Sequence, residues 1–295
     1  MKLKRISRGD RALDIFLYMM LTLVIIICAY PVYFILLASV SNSTFVNSGE
    51  LLWYPKGFHL EGFKFVFQND KLLIGYGNTI FYTVCGTILG LFCSLTAGYS
   101  LSRKDLPGHG IIMFLMVFTM YFSGGLIPTY LVVNSLGLLN TRAVLVIVGS
   151  VSVYNIILIR TFFLSNIPAE LHEAASIDGC GNIRFFITVV LPLSSAIIAV
   201  IALYLAVGYW NSYFTALIYV ADRSKSPLQI YLREILMAEQ SVSSIGDGEL
   251  AGQYMQMLQV VKYAVIVVAT LPIMCVYPFL QKYFVKGVMV GAIKG

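Results

Sequence analysis

The apolar residues of this chain come in long blocks, not at the spacing of a soluble amphipathic helix or a half-buried strand, and charges fall between the blocks. No Asp, Glu, Lys or Arg occurs in residues 15–49, 72–102, 106–141, 143–159, 161–169, 185–221 or 263–281. A helix needs about 20 mostly apolar residues to cross a bilayer. The windows therefore predict six spans, near 13–40, 77–101, 111–133, 143–164, 191–220 and 261–281, in an all-α integral membrane protein. Arg160 joins two windows into the fourth span and lies near enough to its end for the side chain to reach the headgroups. Pro31 predicts a kink in the first span. In the second, Gly86, Gly90, Ala97 and Gly98 are small residues of the kind that lets helices approach closely in a membrane. Gly124, Gly125 and Pro128 predict a break in the third, which either lines a cavity or is a simple proline kink.

Composition agrees: 59% of the 295 residues are hydrophobic and 12% charged, against about 25% charged in a soluble domain. Lys2, Lys4, Arg5, Arg8 and Arg11 precede the first block. Under the positive-inside rule they put both termini in the cytoplasm. The net charge of +6 then reads as an orientation signal and a contact for anionic membrane lipid, with no nucleic-acid partner required. The first apolar run exceeds a signal-peptide core, so an uncleaved span is expected. The chain divides into a basic N-terminus (1–12), a transmembrane domain (13–281) and a cytoplasmic tail (282–295).

Several activities lose support. No G-x-x-x-x-G-K-[ST] phosphate loop occurs, so the chain does not by itself hydrolyse ATP in that manner. Cysteines 28, 85, 93, 180 and 275 and histidines 59, 109 and 172 form no ligand spacing, so no metal site is expected. Proton- or sodium-coupled carriers place ionisable groups at mid-membrane. Here Asp14, Arg160 and Lys262 are confined to span ends.

On the side read as cytoplasmic, the most polar internal segment between two long apolar runs is Glu173 to Pro192, within the loop 165–192. Ser165 or Asn166 is placed to cap a helix running from about Pro168 to Ile177, with Glu170 and Glu173 in its early turns, where the dipole favours negative charge. Leu171, Ala174 and Ala175 share one face. Asp178-Gly179 and Gly181 end the helix, a second helix covers Ile183 to Val190, and Pro192 marks a bend into the next span. Local signals alone fit an ordinary loop helix as well as a docking element.

Glu173-Ala174-Ala175, then Asp178-Gly179, then Leu191-Pro192 at this spacing resemble the cytoplasmic EAA loop of the membrane subunits of binding-protein-dependent ABC importers. Pro128-Thr129-Tyr130 through Leu136-Gly137-Leu138-Leu139-Asn140-Thr141 look like the sugar-importer branch, and the chain is similar to the second membrane subunit of maltose-type importers over essentially its whole length. It departs in Ser194-Ser195-Ala196, where relatives commonly have a proline, and in Cys180, where alanine is usual. The resemblance implies a type I ABC importer permease fold with six transmembrane helices and a cytoplasmic coupling helix. It implies a non-catalytic permease subunit of an ATP-driven importer of sugars, in particular oligosaccharides, in a bacterial cytoplasmic membrane. The partners implied are a second, different permease subunit, two ATPase subunits that carry ATP and Mg, and an extracytoplasmic sugar-binding protein. Glu173, Ala174, Ala175, Asp178, Gly179, Leu191 and Pro192 would couple to the ATPase. The competing class is a stand-alone secondary carrier or channel for a small polar solute.

Aromatic and amide groups suit sugar rings, which makes Tyr130, Tyr209, Trp210 and Asn211 candidate pathway residues. Trp210 and its neighbouring tyrosines fit an interfacial belt equally well, as do Trp53, Tyr54, Phe58, Phe63, Phe65 and Phe67 in the segment 41–76, where Glu61 to Asn69 reads as a surface helix. Residues 221–260 are the longest polar loop. In the family resembled, this extracytoplasmic loop reaches into the binding protein and the C-terminal tail approaches the ATPase pair.

Overall fold

The computed structural model describes residues 8–49, 53–103, 105–243, 258–275 and 278, and among them the regular structure is helical throughout. In order the helices are α1 (Arg8–Ser39), α2 (Ser43–Asn47), α3 (Glu61–Gln68), α4 (Asp70–Ser102), α5 (His109–Tyr121), α6 (Leu126–Ser135) and α7 (Arg142–Ile147). They continue as α8 (Val153–Asn166), α9 (Ala169–Ile177), α10 (Asn182–Leu193), α11 (Ser195–Trp210), α12 (Phe214–Tyr219), α13 (Leu228–Ser243) and α14 (Leu258–Cys275). Two compact units result. One comprises residues up to Asn69 together with 232–269, the other 70–231 with the residues from Thr270.

In the first unit α1 runs through Pro31 as one helix. The apolar residues of its first two-thirds are exposed, Leu13 to Ile27 among them, as suits a surface whose solvent is lipid. Its last turns carry the packing: Leu37 and Ala38 are buried, with Phe34, Val46 and Tyr263 against them. α3 forms where a short helix is expected. It lies against α14 at Gly62, where an added Cβ would come 2.6 Å from the Val260 carbonyl oxygen. Trp53, Tyr54, Phe58 and Phe67 are exposed, in keeping with a belt.

The second unit is built around α4, on which α7, α8 and α11 pack. Close approach is the reason for its small residues. A Cβ at Gly86 would sit 2.3 Å from the Tyr209 ring, at Gly90 2.7 Å from the Ser150 carbonyl oxygen, and at Gly98 2.6 Å from Ile159. Tyr209 Oη donates to the Val146 carbonyl at 2.7 Å, so the ring wedged on Gly86 also ties α11 to the end of α7. At the Asp70 end, Asn78 Nδ2 donates to the carbonyls of Ser224 and Ser226, Tyr82 Oη donates to that of Lys225, and the Leu228 amide donates to Thr79 Oγ1. These bonds clamp the turn 223–228 onto α4.

Among the described residues α1, α4 and α14 are long and apolar enough to cross a membrane, and two bent pairs, α5–α6 (113°) and α10–α11 (82°), join them if each is one span. The predicted third span breaks at Phe122–Gly125, as the glycines require. The predicted fourth span is not one helix. Val148–Ser152 is non-helical between α7 and α8, because Gly149 takes φ +89° and the Ser150 hydroxyl turns back to the Ile147 carbonyl. Arg160 of α8 lies at the end of α4. Its Nε donates to the Leu101 carbonyl at 3.0 Å, a cation satisfying the last turn of α4 where the helix dipole welcomes it. The loop expected at 221–260 is helical over Leu228–Ser243. Gly246 and Gly248 of that loop, and the tail 282–295, lie outside the described residues.

Candidate functional site

The elbow from Pro168 to Ser194 takes its form from local chemistry. α9 starts at Pro168, which has extended backbone and provides no side-chain cap. Ser165 and Asn166, expected as caps, instead donate to the Phe162 carbonyl and close α8. α9 ends where predicted. Gly179 has φ +71°, a left-handed conformation that glycine adopts without the Cβ penalty. With it the Gly179 amide donates to Ser176 O and the Cys180 amide to Ala175 O at 2.8 Å, which satisfies the final carbonyls of the helix. Ala175 and Cys180, the residues this motif brings together, both rest on the core below.

α10 returns the chain to that core. Phe185 is 2% exposed and packs with Leu95, Ile159, Phe163, Val190, Ile201 and Leu205. His172 of α9 stands edge-on to the Phe185 ring at 5.1 Å, its Nε2 3.1 Å from Asn182 Oδ1. Those contacts fix the angle between the arms. From Phe186 to Val190 the helix widens to π geometry. Pro192, two residues on, has no N–H and crowds the carbonyl one turn back, and a single wide turn relieves that conflict. The bend into α11 lies at Ser194, not at Pro192, and Ser194 is fully buried.

The outer side of α9 is free of packing. Glu170, Glu173, Ala174 and Asp178 are exposed, Leu171 is half-exposed and Ile177 is 87% exposed. Nothing lies within 4 Å of a Cβ placed on Gly179. Of the seven residues predicted to couple, Glu173, Ala174, Asp178 and Gly179 thus form one open surface. Ala175 and Leu191 face the core, and Pro192 is exposed on α10. In the turn after α4, Arg103 makes a bidentate pair with Asp105, both bonds 2.9 Å. That hydrogen bonding holds the Asp105 carboxyl below, and the Arg103 guanidinium above, their ordinary values.

The four predicted pathway residues do not share one place. Tyr209 lines a cavity of about 290 Å³ with Val148, Gly149, Tyr204, Gly208, Ser212 and Thr215. Trp210, about 100° further round α11, is 6% exposed, edge-on to Tyr76 at 5.8 Å and beside an apolar cavity of about 140 Å³. Burial on Tyr76 argues against an interfacial belt for Trp210. Asn211 caps α11 and folds back, its Nδ2 donating to Val207 O. Tyr130 stacks on Tyr219 at 6.0 Å. Tyr204, Ser212 and Thr215 were missed from sequence, although with Gly208 they recur every three or four residues along the chain from α11 into α12.

The family of inner membrane components of binding-protein-dependent transport systems matches residues 3–290. The chain belongs to that family. Two Bacillus subtilis (strain 168) relatives are similar almost end to end. The polygalacturonan/rhamnogalacturonan transport system permease protein YtcP is 41% identical over 290 residues, covering 97% of this chain and 99% of that protein. Protein LplC is 40% identical over 289 residues, covering 98% and 97%. Among solved structures, a bacterial ABC transporter involved in the import of the acidic polysaccharide alginate aligns at a TM-score of 0.84 and 31% identity, covering 96% of this chain and all of that one. A binding-protein-dependent permease subunit is thus a transport component with apolar helices for a multi-pass position in the inner membrane.

Proposed function

We propose that this chain is one of two different permease subunits of an ATP-driven importer of sugars, and that it transmits work from an ATPase through α9. Both termini lie in the cytoplasm and six segments cross the membrane, three of them broken. An extracytoplasmic binding protein delivers an oligosaccharide; two ATPase subunits bind ATP and Mg and close. The observation that carries the reading is the contrast between the two sides of the elbow. Its inner side is locked into the core by Phe185, Ala175 and Cys180, while its outer side presents Glu173, Ala174 and Ile177 as exposed residues. A lever has that division: one part rigidly joined to the spans, the other left for a partner. The Ile177 side chain fills an apolar groove on the ATPase, and Glu173 pairs with a basic group at its rim. Directionality follows if ATP favours one conformation of the assembly.

Glu173→Lys and Gly179→Asp test this, because open space surrounds Gly179 and aspartate tolerates left-handed backbone better than most residues. Both variants should assemble in the membrane yet lose sugar uptake into proteoliposomes. Normal uptake by either contradicts the proposal, and uptake by the chain alone, without an ATPase, favours a secondary carrier.

A further inference from the structure

We propose that the cavity beside Tyr209 is a subsite on the translocation path that holds one sugar ring at mid-membrane depth through its hydroxyl groups. The inference rests on the importer reading and adds where this chain touches its cargo.

Depth comes first. Gly86, against which Tyr209 is wedged, is the middle residue of α4 and lies at the centre of the charge-free window 72–102. The cavity therefore sits near the bilayer midplane, where lipid offers no hydrogen bonds. Its lining is nonetheless polar. Tyr204 Oη, Ser212 Oγ and Thr215 Oγ1 make no hydrogen bond among the described residues, and the Gly149 amide at the break between α7 and α8 donates to no backbone carbonyl among them. Groups of this kind facing hydrocarbon would each cost about 1–3 kcal/mol or more, and non-helical backbone survives at that depth only against protein or a water-filled space. The cavity consequently opens on the aqueous path.

The lining also specifies the cargo. No charged side chain contributes, so nothing there neutralises a carboxylate; the free groups are hydroxyls and an amide, which match ring hydroxyls. The half-exposed Tyr204 ring offers a flat face for the C–H side of a sugar. Tyr209 is a fixed wall, because its hydroxyl is already committed to Val146. A volume of about 290 Å³ is at the lower end of the roughly 300–1,000 Å³ of small-molecule sites, which suits a single ring of a longer chain.

The test uses the whole importer in proteoliposomes, with its binding protein, and radiolabelled maltotriose, raffinose and trigalacturonate as probes. Tyr204→Phe, Ser212→Ala and Thr215→Val each delete a polar group at nearly constant volume. Each should lower the maximal uptake rate about 2- to 10-fold, the range set by one neutral hydrogen bond, and the triple variant further. KM, set upstream by the binding protein, should not move. Ser212→Thr, which keeps the hydroxyl, should retain uptake. Gly208→Leu, at a position with no atom within 4 Å of an added Cβ, should fill the cavity and cut uptake at least tenfold while ATP hydrolysis still responds to loaded binding protein. If that variant fails to assemble, the hydroxyl deletions decide. Wild-type uptake in the triple variant overturns the subsite alone, and a loss confined to trigalacturonate overturns recognition through hydroxyls. A wild-type complex that imports none of the saccharides overturns the importer reading and the subsite with it.

Discussion

Truncating Phe185 to alanine separates the two halves of the proposed lever. Phe185 joins α10 to the core formed by α4, α8 and α11 and supports His172 of α9 from below. It is almost wholly buried, so its loss removes both transfer free energy and packing, about 3–5 kcal/mol for a Phe→Ala change. At about 1.4 kcal/mol per factor of ten, the undocked fraction of the elbow rises by roughly 10² to 4 × 10³. The exposed face of α9 is unchanged, so an ATPase bound there stays bound but pulls on a loosened arm. The assay is ATP hydrolysed per sugar imported by the assembled complex in proteoliposomes. Phe185→Ala should raise that ratio at least tenfold while the ATPase still co-purifies, and Phe185→Leu, which keeps most of the volume, should raise it far less. A wild-type ratio for Phe185→Ala in a fully assembled complex would refute the argument that Phe185 makes the elbow rigid.

Other changes probe the frame around the lever. Gly86→Ala drives a methyl into the Tyr209 ring and should destabilise the detergent-solubilised complex by about 1–3 kcal/mol, seen as a lower midpoint of thermal aggregation, with Gly86→Ser no better. Arg160→Leu leaves the Leu101 carbonyl without its charged donor and should cost about 1.5–3 kcal/mol by the same measurement; an unchanged midpoint would mean that water serves equally well. Asp222 caps the turn clamped to α4, and its hydrogen bonds from Ser224 and Lys225 hold its carboxyl down to about 2, from 3.8. A depressed value means that the carboxylate's contribution is complete above about pH 4 and is lost only as the pH falls through about 2. Uptake by Asp222→Asn relative to wild type should therefore stay constant between about pH 5 and 8, and a step within that window would contradict the assignment.

What could be read from the sequence was whatever a short stretch decides for itself. The end of α9 at Ile177, the turn at Gly179, the break at 122–125 and the close-packed glycines of α4 all follow from residue types within a few positions. What escaped depends on distant partners or on signals that hydropathy masks. Val148–Ser152 lies inside a charge-free run, so the break there is invisible to a search for spans, although Gly149, Ser150 and Ser152 are the residues that permit it. The bend at Ser194 looked as if it belonged to Pro192, because proline is the louder signal; the proline instead acts upstream, in the π turn. The bond from Arg160 could not be read locally, because its acceptor, Leu101, lies 59 residues away. Tyr209 and Trp210, adjacent in sequence, point about 100° apart round one helix, and only the packing on Gly86 and Tyr76 tells which lines the polar cavity. The identities of the coupling residues were legible through resemblance; their division into an open face and an anchored face was not.

The central claim is that α9 is the part of this chain gripped by an ATPase. The most direct measurement is photo-cross-linking from a benzoylphenylalanine placed at Ala174 in native membranes that contain the assembled transporter. An adduct with the P-loop ATPase subunit, its yield changing when ATP is added, is the predicted result; labelling of lipid alone, or of a protein on the extracytoplasmic side, would contradict the account.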